Sequence, residues 1–415
     1  MNDEKQRVLD LAAQHVCPNR VQMLQALGVD LVIGRREGYR IWDLEGRELF
    51  DYHLNGGVFN LGHRNAELIA TLRDALDTLD IGNHHFPSVA RAELAQALIR
   101  TAPGDLEYVV FAPSGSEAIE IALKTARRTT HRRKVVSIQK GYHGHTGLAL
   151  AAGDARFSEA FLADGPAGEF VKVPFNDLDA MEDALRGDDA AAVVLETIPA
   201  TCGFPMPADG YLPGVQALCR RHGAVYVADE VQTGLGRTGV MWGVQAYGVE
   251  PDILVTGKGL SGGLYPIAAA LLSRRVAGWL HEDGWGHVST FGGAELGCRV
   301  AQKVLEITTR PGVLQNVTVV SQRLGDGLEA IRRRHPDWLL EIRRRGVVMG
   351  LRFAHERGAQ MMAKSLYDTG IWAMFAGFDT SVLQFKAGLL VDTAYCDETL
   401  VRFEDGIRRC LSMLR

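Results

Sequence analysis

The segment ILVTGKGLSGGLYP (residues 253–266) opens as a buried strand, with Ile253, Leu254 and Val255 in succession, and then sets one lysine, Lys258, between two glycines. PIAAALLS (266–273) follows as another buried run, so the turn between the two lies at a strand end facing the interior. Burial disfavours the charged form of an amine. A lysine held there is a nucleophile able to form a Schiff base. A surface cation in a turn is the plainer reading of the same residue, and the surrounding chain has to decide between them.

Outward from this segment, residues 106 to 273 alternate short apolar runs with helical patterns. The runs are LEYVVFA, KVVSIQ, AAAVVLE, AVYVADE, DILVTG and PIAAALLS. Strands apolar on both faces and separated by helices predict an α/β fold with a mostly parallel central sheet covered on both sides. Ligands of such sheets bind at the carboxyl ends of the strands. The polar residues Ser114 to Glu117, Glu196, Asp229, Glu230 and Lys258 all fall at those ends. Nearer the amino terminus, LVIGRREGYRIWDLEGRELFDY (31–52) has the alternation of a small antiparallel hairpin. After residue 313 come helical patterns and short strands such as GVVMGLRF and VLQFKAGLLV. The expected division is a large domain over residues 61–310, with 1–60 and 311–415 forming a smaller α+β domain beside it.

Composition narrows the function classes. A net charge of -5, with Lys and Arg scattered, gives no electrostatic reason to expect nucleic acid or an anionic membrane as partner. The arginine runs of IRRRHPDWLLEIRRRG (331–346) read as a solvated helix end and the strand after it. The six cysteines never approach a metal-ligand or C-x-x-C spacing, which predicts reduced thiols in a cytoplasmic protein and no metal site. MNDEKQRVLDLAAQ lacks the apolar core of a secretory signal, and no apolar run reaches membrane-spanning length.

A lysine Schiff base suggests pyridoxal phosphate, which requires an anion cradle, an acid beside its pyridine nitrogen and flat contacts on both ring faces. APSGSEAIEIALKTAR (112–127) follows a strand and opens a helix, where backbone N–H groups favour phosphate, although the same residues make an ordinary capping pattern. AVYVADEVQTGLGRTG (224–239) ends an apolar strand on Asp229, a costly place for a carboxylate unless it is paired. A pyridinium N–H or a structural salt bridge would each provide that partner. Asp229 and Lys258 are 29 residues apart (258 − 229), about one strand-to-strand crossover, so both can occupy neighbouring strand ends.

Taken together, SGSEA, GYHGHT, DEVQTGLGRTG, GKGLSGGLYP and STFGGAELGC resemble the class III aminotransferases of the ornithine/4-aminobutyrate type, fold-type I enzymes that use pyridoxal phosphate. The resemblance extends to YRIWDLEGRELFDY and NLGH near the start. It implies that Lys258 holds the cofactor and shuttles the proton, and that Asp229 pairs with the pyridine nitrogen. It further implies that Val231 and Tyr142 pack on the two ring faces, Gln232 bonds the 3′-oxygen, and Gly115 and Ser116 hold the phosphate. Glu196 stands at the cofactor site, and Thr290 would reach the phosphate of a neighbouring subunit, which implies a homodimer with shared sites. NGGVFN (55–60) and NHHFPS (83–88) match substrate-lining stretches, which points to Gly56, His85 and Phe86.

Two departures from the family pattern bear on substrate. Members that exchange nitrogen with glutamate commonly carry a second glutamate where ETIPATCG (196–203) has Thr201, and an arginine where LQFKAGLL (383–390) has Gln384. Ala387 and Gly388 replace two frequent prolines. A glutamine amide supplies neither the charge nor the fork of an arginine. Lys386 shares a strand face with Gln384, so its ammonium either meets a carboxylate or reaches solvent.

The expected function is therefore a transaminase for an amine or amino acid and a keto acid or aldehyde. A racemase, epimerase or lyase of the same family is the alternative, and a catalytically dead scaffold is a third reading. A nicotinamide dehydrogenase would need a G-x-G-x-x-G turn after an early strand, which the chain lacks.

Overall fold

Strands apolar on both faces are stable only between two layers of helices. In the computed structural model, which describes residues 3–414, the strands in chain order are β1 (Ile33–Glu37), β2 (Arg40–Asp43), β3 (Glu48–Asp51), β4 (Leu106–Ala112), β5 (Lys134–Ile138), β6 (Phe170–Val173), β7 (Ala190–Glu196), β8 (Val225–Asp229), β9 (Ile253–Thr256), β10 (Ala268–Ser273), β11 (Leu339–Arg345), β12 (Val348–Phe353), β13 (Ile371–Trp372), β14 (Met374–Ala376) and β15 (Asp379–Lys386). The central sheet has the order β4-β10-β9-β8-β7-β5-β6. From β9 to β6 every pairing is parallel, whereas β10 runs antiparallel to both β9 and β4. The α/β fold with a mostly parallel sheet is thus as the sequence predicts. β6 is an addition to it, because FVKV is only four residues long and carries a lysine within its apolar run.

Side chains alternate between two cores, as the period of a strand requires. Ala192 and Val194 of β7 and Val225 and Val227 of β8 pack with Ile119 and Leu123 of the helix Gly115–Thr130. Their neighbours Val193, Leu195, Tyr226 and Ala228 pack on the other face with Leu212 and Val215 of the helix Tyr211–His222. Asp229 has the parity of Val225 and Val227, so it projects toward the Gly115–Thr130 side. That helix buries Ala118, Ile119, Ala122, Leu123 and Ala126 along one stripe. Ser114 caps its start by accepting from the Glu117 N–H at 3.2 Å, and His131 in the left-handed region ends it.

The two ends of the chain share a core. β1, β2 and β3 form an antiparallel meander, one strand more than the expected hairpin, and β13 completes it by pairing parallel with β3. A further sheet has the order β11-β12-β15-β14. Tyr52 stacks on Phe385 at 4.0 Å between ring centroids, Phe50 stacks on Tyr395 at 4.2 Å, and the Tyr52 hydroxyl donates to Thr399 at 2.8 Å. Among the described residues no helix is long and apolar enough to cross a membrane, and all six cysteines are free thiols.

The glycine at 388 has a steric cause. A Cβ there would lie 1.8 Å from the Tyr39 ring. Tyr39 is fixed by donating to the Asn60 carbonyl and accepting from the Leu390 N–H. A proline would meet the same atoms. Gly388→Ala is expected to lower unfolding free energy by about 1–3 kcal/mol through overpacking, measurable by denaturant titration. An unchanged midpoint would show that the ring moves aside freely.

Candidate active site

Asp229 pairs across the sheet with Glu196 of β7 on one side and Val255 of β9 on the other, so three strands end at one level. Three residues past Val255 comes Lys258, with φ of 41°. A non-glycine residue in the left-handed region costs on the order of 1–3 kcal/mol and persists only where its surroundings dictate it. The turn is held by Ser261, whose hydroxyl donates to the Lys258 carbonyl at 2.7 Å. Lys258 faces a cavity of about 250 Å³ shared with Asp229, Glu196, Gly115, Tyr142 and Gln232.

Electrostatics differ at each group. The amine of Lys258 makes no hydrogen bond or ion pair among the described residues. Desolvation lowers its pKa, with Asp229 and Glu196 opposing and Arg237 adding to the fall. Asp229, 5% exposed, accepts from the Val231 N–H at 3.1 Å and lies 2.8 Å from Nδ1 of His143. Glu196 accepts from the N–H groups of Tyr142 at 3.0 Å and Ala200 at 3.2 Å, and burial raises its pKa to about 7. Its role in the structure is to tie the loops after β5 and β7 to the sheet.

The remaining walls are made by close backbone approaches. Helix geometry leaves the first N–H groups of Gly115–Thr130 without intrahelical acceptors, and Gly115 packs so closely on Val231 that a Cβ would lie 3.2 Å from its methyls. Ser116 shares a 2.6 Å hydrogen bond with Thr146. Across the cavity, residues 54–57 all have positive φ. A Cβ on Gly56 would sit 3.2 Å from Cε of Lys258, and one on Gly57 would sit 2.6 Å from Nη2 of Arg237.

The sequence-predicted residues separate into three groups. Lys258, Asp229, Gly115, Ser116, Tyr142, Glu196, Val231 and Gln232 all line one cavity, and Gly56 abuts it. His85, Phe86 and Thr290 are exposed and lie outside it; His85 and Phe86 line a separate concavity with Trp285 and His287. Thr201 donates to the Lys140 carbonyl at 2.8 Å, and Gln384 donates to the Ala200 carbonyl at 3.1 Å. Lys386 does not reach solvent: it is fully buried and donates to Oε1 of Gln384 at 2.9 Å. Two site residues escaped the sequence reading, His143 and Arg237. Both stand inside quoted motifs, next to Tyr142 and within GLGRTG, and those positions were the available signal.

The aminotransferase class-III family model matches residues 24–407. An uncharacterized aminotransferase of Archaeoglobus fulgidus is 47% identical over 387 residues, covering 93% of this chain and 90% of that protein. A putrescine aminotransferase of Pectobacterium atrosepticum is 31% identical over 376 residues, covering 88% and 80%. Among solved structures, an ornithine aminotransferase of Toxoplasma gondii, with PLP at partial occupancy in its active site, superposes with a TM-score of 0.87 at 26% identity, covering 99% of this chain and 96% of that one. The cavity fits the cofactor: it offers an uncommitted amine, a buried carboxylate and a helix start whose glycine leaves no room for a side chain.

Glu230, next to Asp229 and 1% exposed, accepts from the N–H groups of Gly243 at 2.7 Å and Val244 at 3.0 Å and from the Thr197 hydroxyl. Burial raises its pKa to about 7. Between the unfolded value of 4.5 and about 7 the folded state keeps a proton that the unfolded state releases, so its contribution falls as pH rises through that window. Relative to Glu230→Gln, wild-type apoenzyme is expected to lose about 2–3 kcal/mol from pH 4.5 to 7 and to level off above. Parallel stability curves for the two proteins would refute the raised pKa.

Proposed function

The chain belongs to the class III aminotransferases, pyridoxal-phosphate-dependent transaminases, and we propose that it moves nitrogen from an amine or amino acid to a keto acid or aldehyde with Lys258 as proton carrier. The observation that carries this reading is the Lys258 amine, desolvated, without a bonded partner and facing Asp229 in the cavity. Pyridoxal phosphate supplies a carbonyl that takes up amino nitrogen and a conjugated ring that holds the electron pair left when the α C–H bond breaks. Lys258, kept neutral by desolvation, takes that proton and returns it. Asp229, oriented by His143, stabilises positive charge on the ring nitrogen. Gly115 and Ser116 bind the phosphate, Gln232 bonds the 3′-oxygen, and Val231 and Tyr142 restrict the ring from its two faces.

In this reading residues 61–310 bind the cofactor, and 1–60 with 311–415 form the part packed beside them. The protein works as a homodimer, in which Thr290 of each subunit serves the partner's phosphate and His85 and Phe86 approach the partner's site. The exposure of Phe86, Val288 and Phe291 around that face supports the pairing. The usual glutamate–arginine switch is replaced by the neutral contact of Gln384 with the loop at Ala200.

Single-turnover mixing of the holoenzyme with a panel of amines and amino acids tests the reading through the cofactor's absorption. Amination of the cofactor by at least one donor is expected. Lys258→Ala should slow it by about a hundredfold or more, and Asp229→Asn should slow it and weaken cofactor retention. Entry of solvent deuterium at the α-carbon without cofactor amination would instead establish a racemase.

A further inference from the structure

Beside the amine of Lys258 lie two more basic side chains that the proposed chemistry does not use. Lys386 is fully buried, and among the described residues the one acceptor of its amine is the neutral amide oxygen of Gln384. Arg237, 1% exposed, donates from Nε to the Gln232 carbonyl at 3.0 Å and from Nη2 to the Gly57 carbonyl at 2.7 Å, while its buried Nη1 has no partner among the described residues. Neither side chain forms an ion pair within 4.0 Å among the described residues. Asp51, the carboxylate whose field reaches Lys386, is already committed to His63 at 2.8 Å and to the N–H groups of His53 and Leu54.

These basic groups surround one short turn. Gly57 contacts Arg237, Gly56 contacts Lys258, and the Lys386 N–H donates to the Tyr52 carbonyl just before the turn begins. His53, at the head of the turn, is depressed to about 3 by burial and then by Lys386, so it supplies no negative charge and no further positive charge near neutral pH. Without an anion beside them burial holds Lys386 well below its usual pKa and lowers Arg237 to about 10, and an arriving carboxylate would favour the charged form of both. The missing component is an anion, and the amide oxygen on Lys386 occupies the position that a carboxylate oxygen would take.

We propose that Lys386, with the unpartnered Nη1 of Arg237, seats a carboxylate of the substrate, and that Gln384 is the neutral cap which gives way to it. This rests on the transaminase reading above and specifies its substrates. No glutamate is present at position 201 to pair with these groups when a carboxylate is absent. Both donor and acceptor therefore carry a carboxylate, and a diamine, bringing a second positive charge to the same place, is rejected.

The probe is butyrate, an acid with no amine, titrated calorimetrically into the holoenzyme with butyramide as the uncharged control. Butyrate is expected to bind and butyramide not to. Lys386→Met, which removes the amine, and Gln384→Glu, which supplies its counter-charge from within the chain, should each weaken butyrate binding by about 30-fold or more. Lys386→Arg should retain it. In single turnover, 4-aminobutyrate should aminate the cofactor faster than 1,4-diaminobutane, with the ratio falling toward one in Lys386→Met. Butyrate binding equal in wild type and both weakening variants, or a diamine that reacts as fast as the amino acid, would overturn the carboxylate seat. A holoenzyme whose cofactor responds to no donor would instead remove the transaminase reading on which it rests.

Discussion

Asp229 and Lys258 meet because β8 and β9 run parallel with Asp229 opposite Val255, so that the carboxylate and the amine three residues further on leave the sheet at the same edge. A shift of one residue in this pairing would turn Asp229 toward the other core. The shift is opposed on both faces at once, since Val225, Val227, Ile253 and Val255 fill one core and Tyr226, Ala228 and Leu254 the other. The geometry of the site is therefore maintained by apolar packing many residues deep, while the site itself contains strain and poorly solvated charge.

The charged groups around that edge are stabilised in different ways. The acids draw on the backbone: Asp229, Glu196 and Glu230 each accept from one or more N–H groups. The basic groups draw on neutral oxygens, with Arg237 on two carbonyls and Lys386 on an amide. Among the described residues the Lys258 amine has neither kind of partner, and its backbone is held in the left-handed region by the turn that follows. Strain and missing partners coincide at the residue with the most chemistry to do, which is where natural folds concentrate them.

Much of this was legible in the sequence because strand ends announce themselves. Apolar runs closing on Glu196, Asp229 and, after a short turn, Lys258 gave both the sheet and the cavity, and the 29-residue spacing matched adjacent parallel strands. The antiparallel course of β10 left no mark, since a strand buried on both faces reads the same in either direction. β6 was hidden by its length. The surroundings of Lys386 were out of reach for another reason: whether a lysine on a strand is solvated or enclosed depends on what crosses over it, here residues from Tyr52 to Gly57 more than three hundred positions earlier. The same distance concealed the reason for Gly388, which is the ring of Tyr39.

The parallel pairing of β13 with β3 sets Ile371 beside Phe50 and Trp372 beside Asp51. During synthesis the earlier strand must wait 321 residues (371 − 50) for its neighbour, roughly 15–60 s at the usual rate of elongation. Throughout that interval Phe50 and Tyr52 lack the aromatic partners Tyr395 and Phe385 that later cover them. The central sheet, complete by Ser273, can form on the ribosome ahead of them. The turn carrying Gly56 and Gly57 thus joins the site last in time although it comes first in the chain, and the cavity around Lys258 acquires its final wall only when translation is almost over.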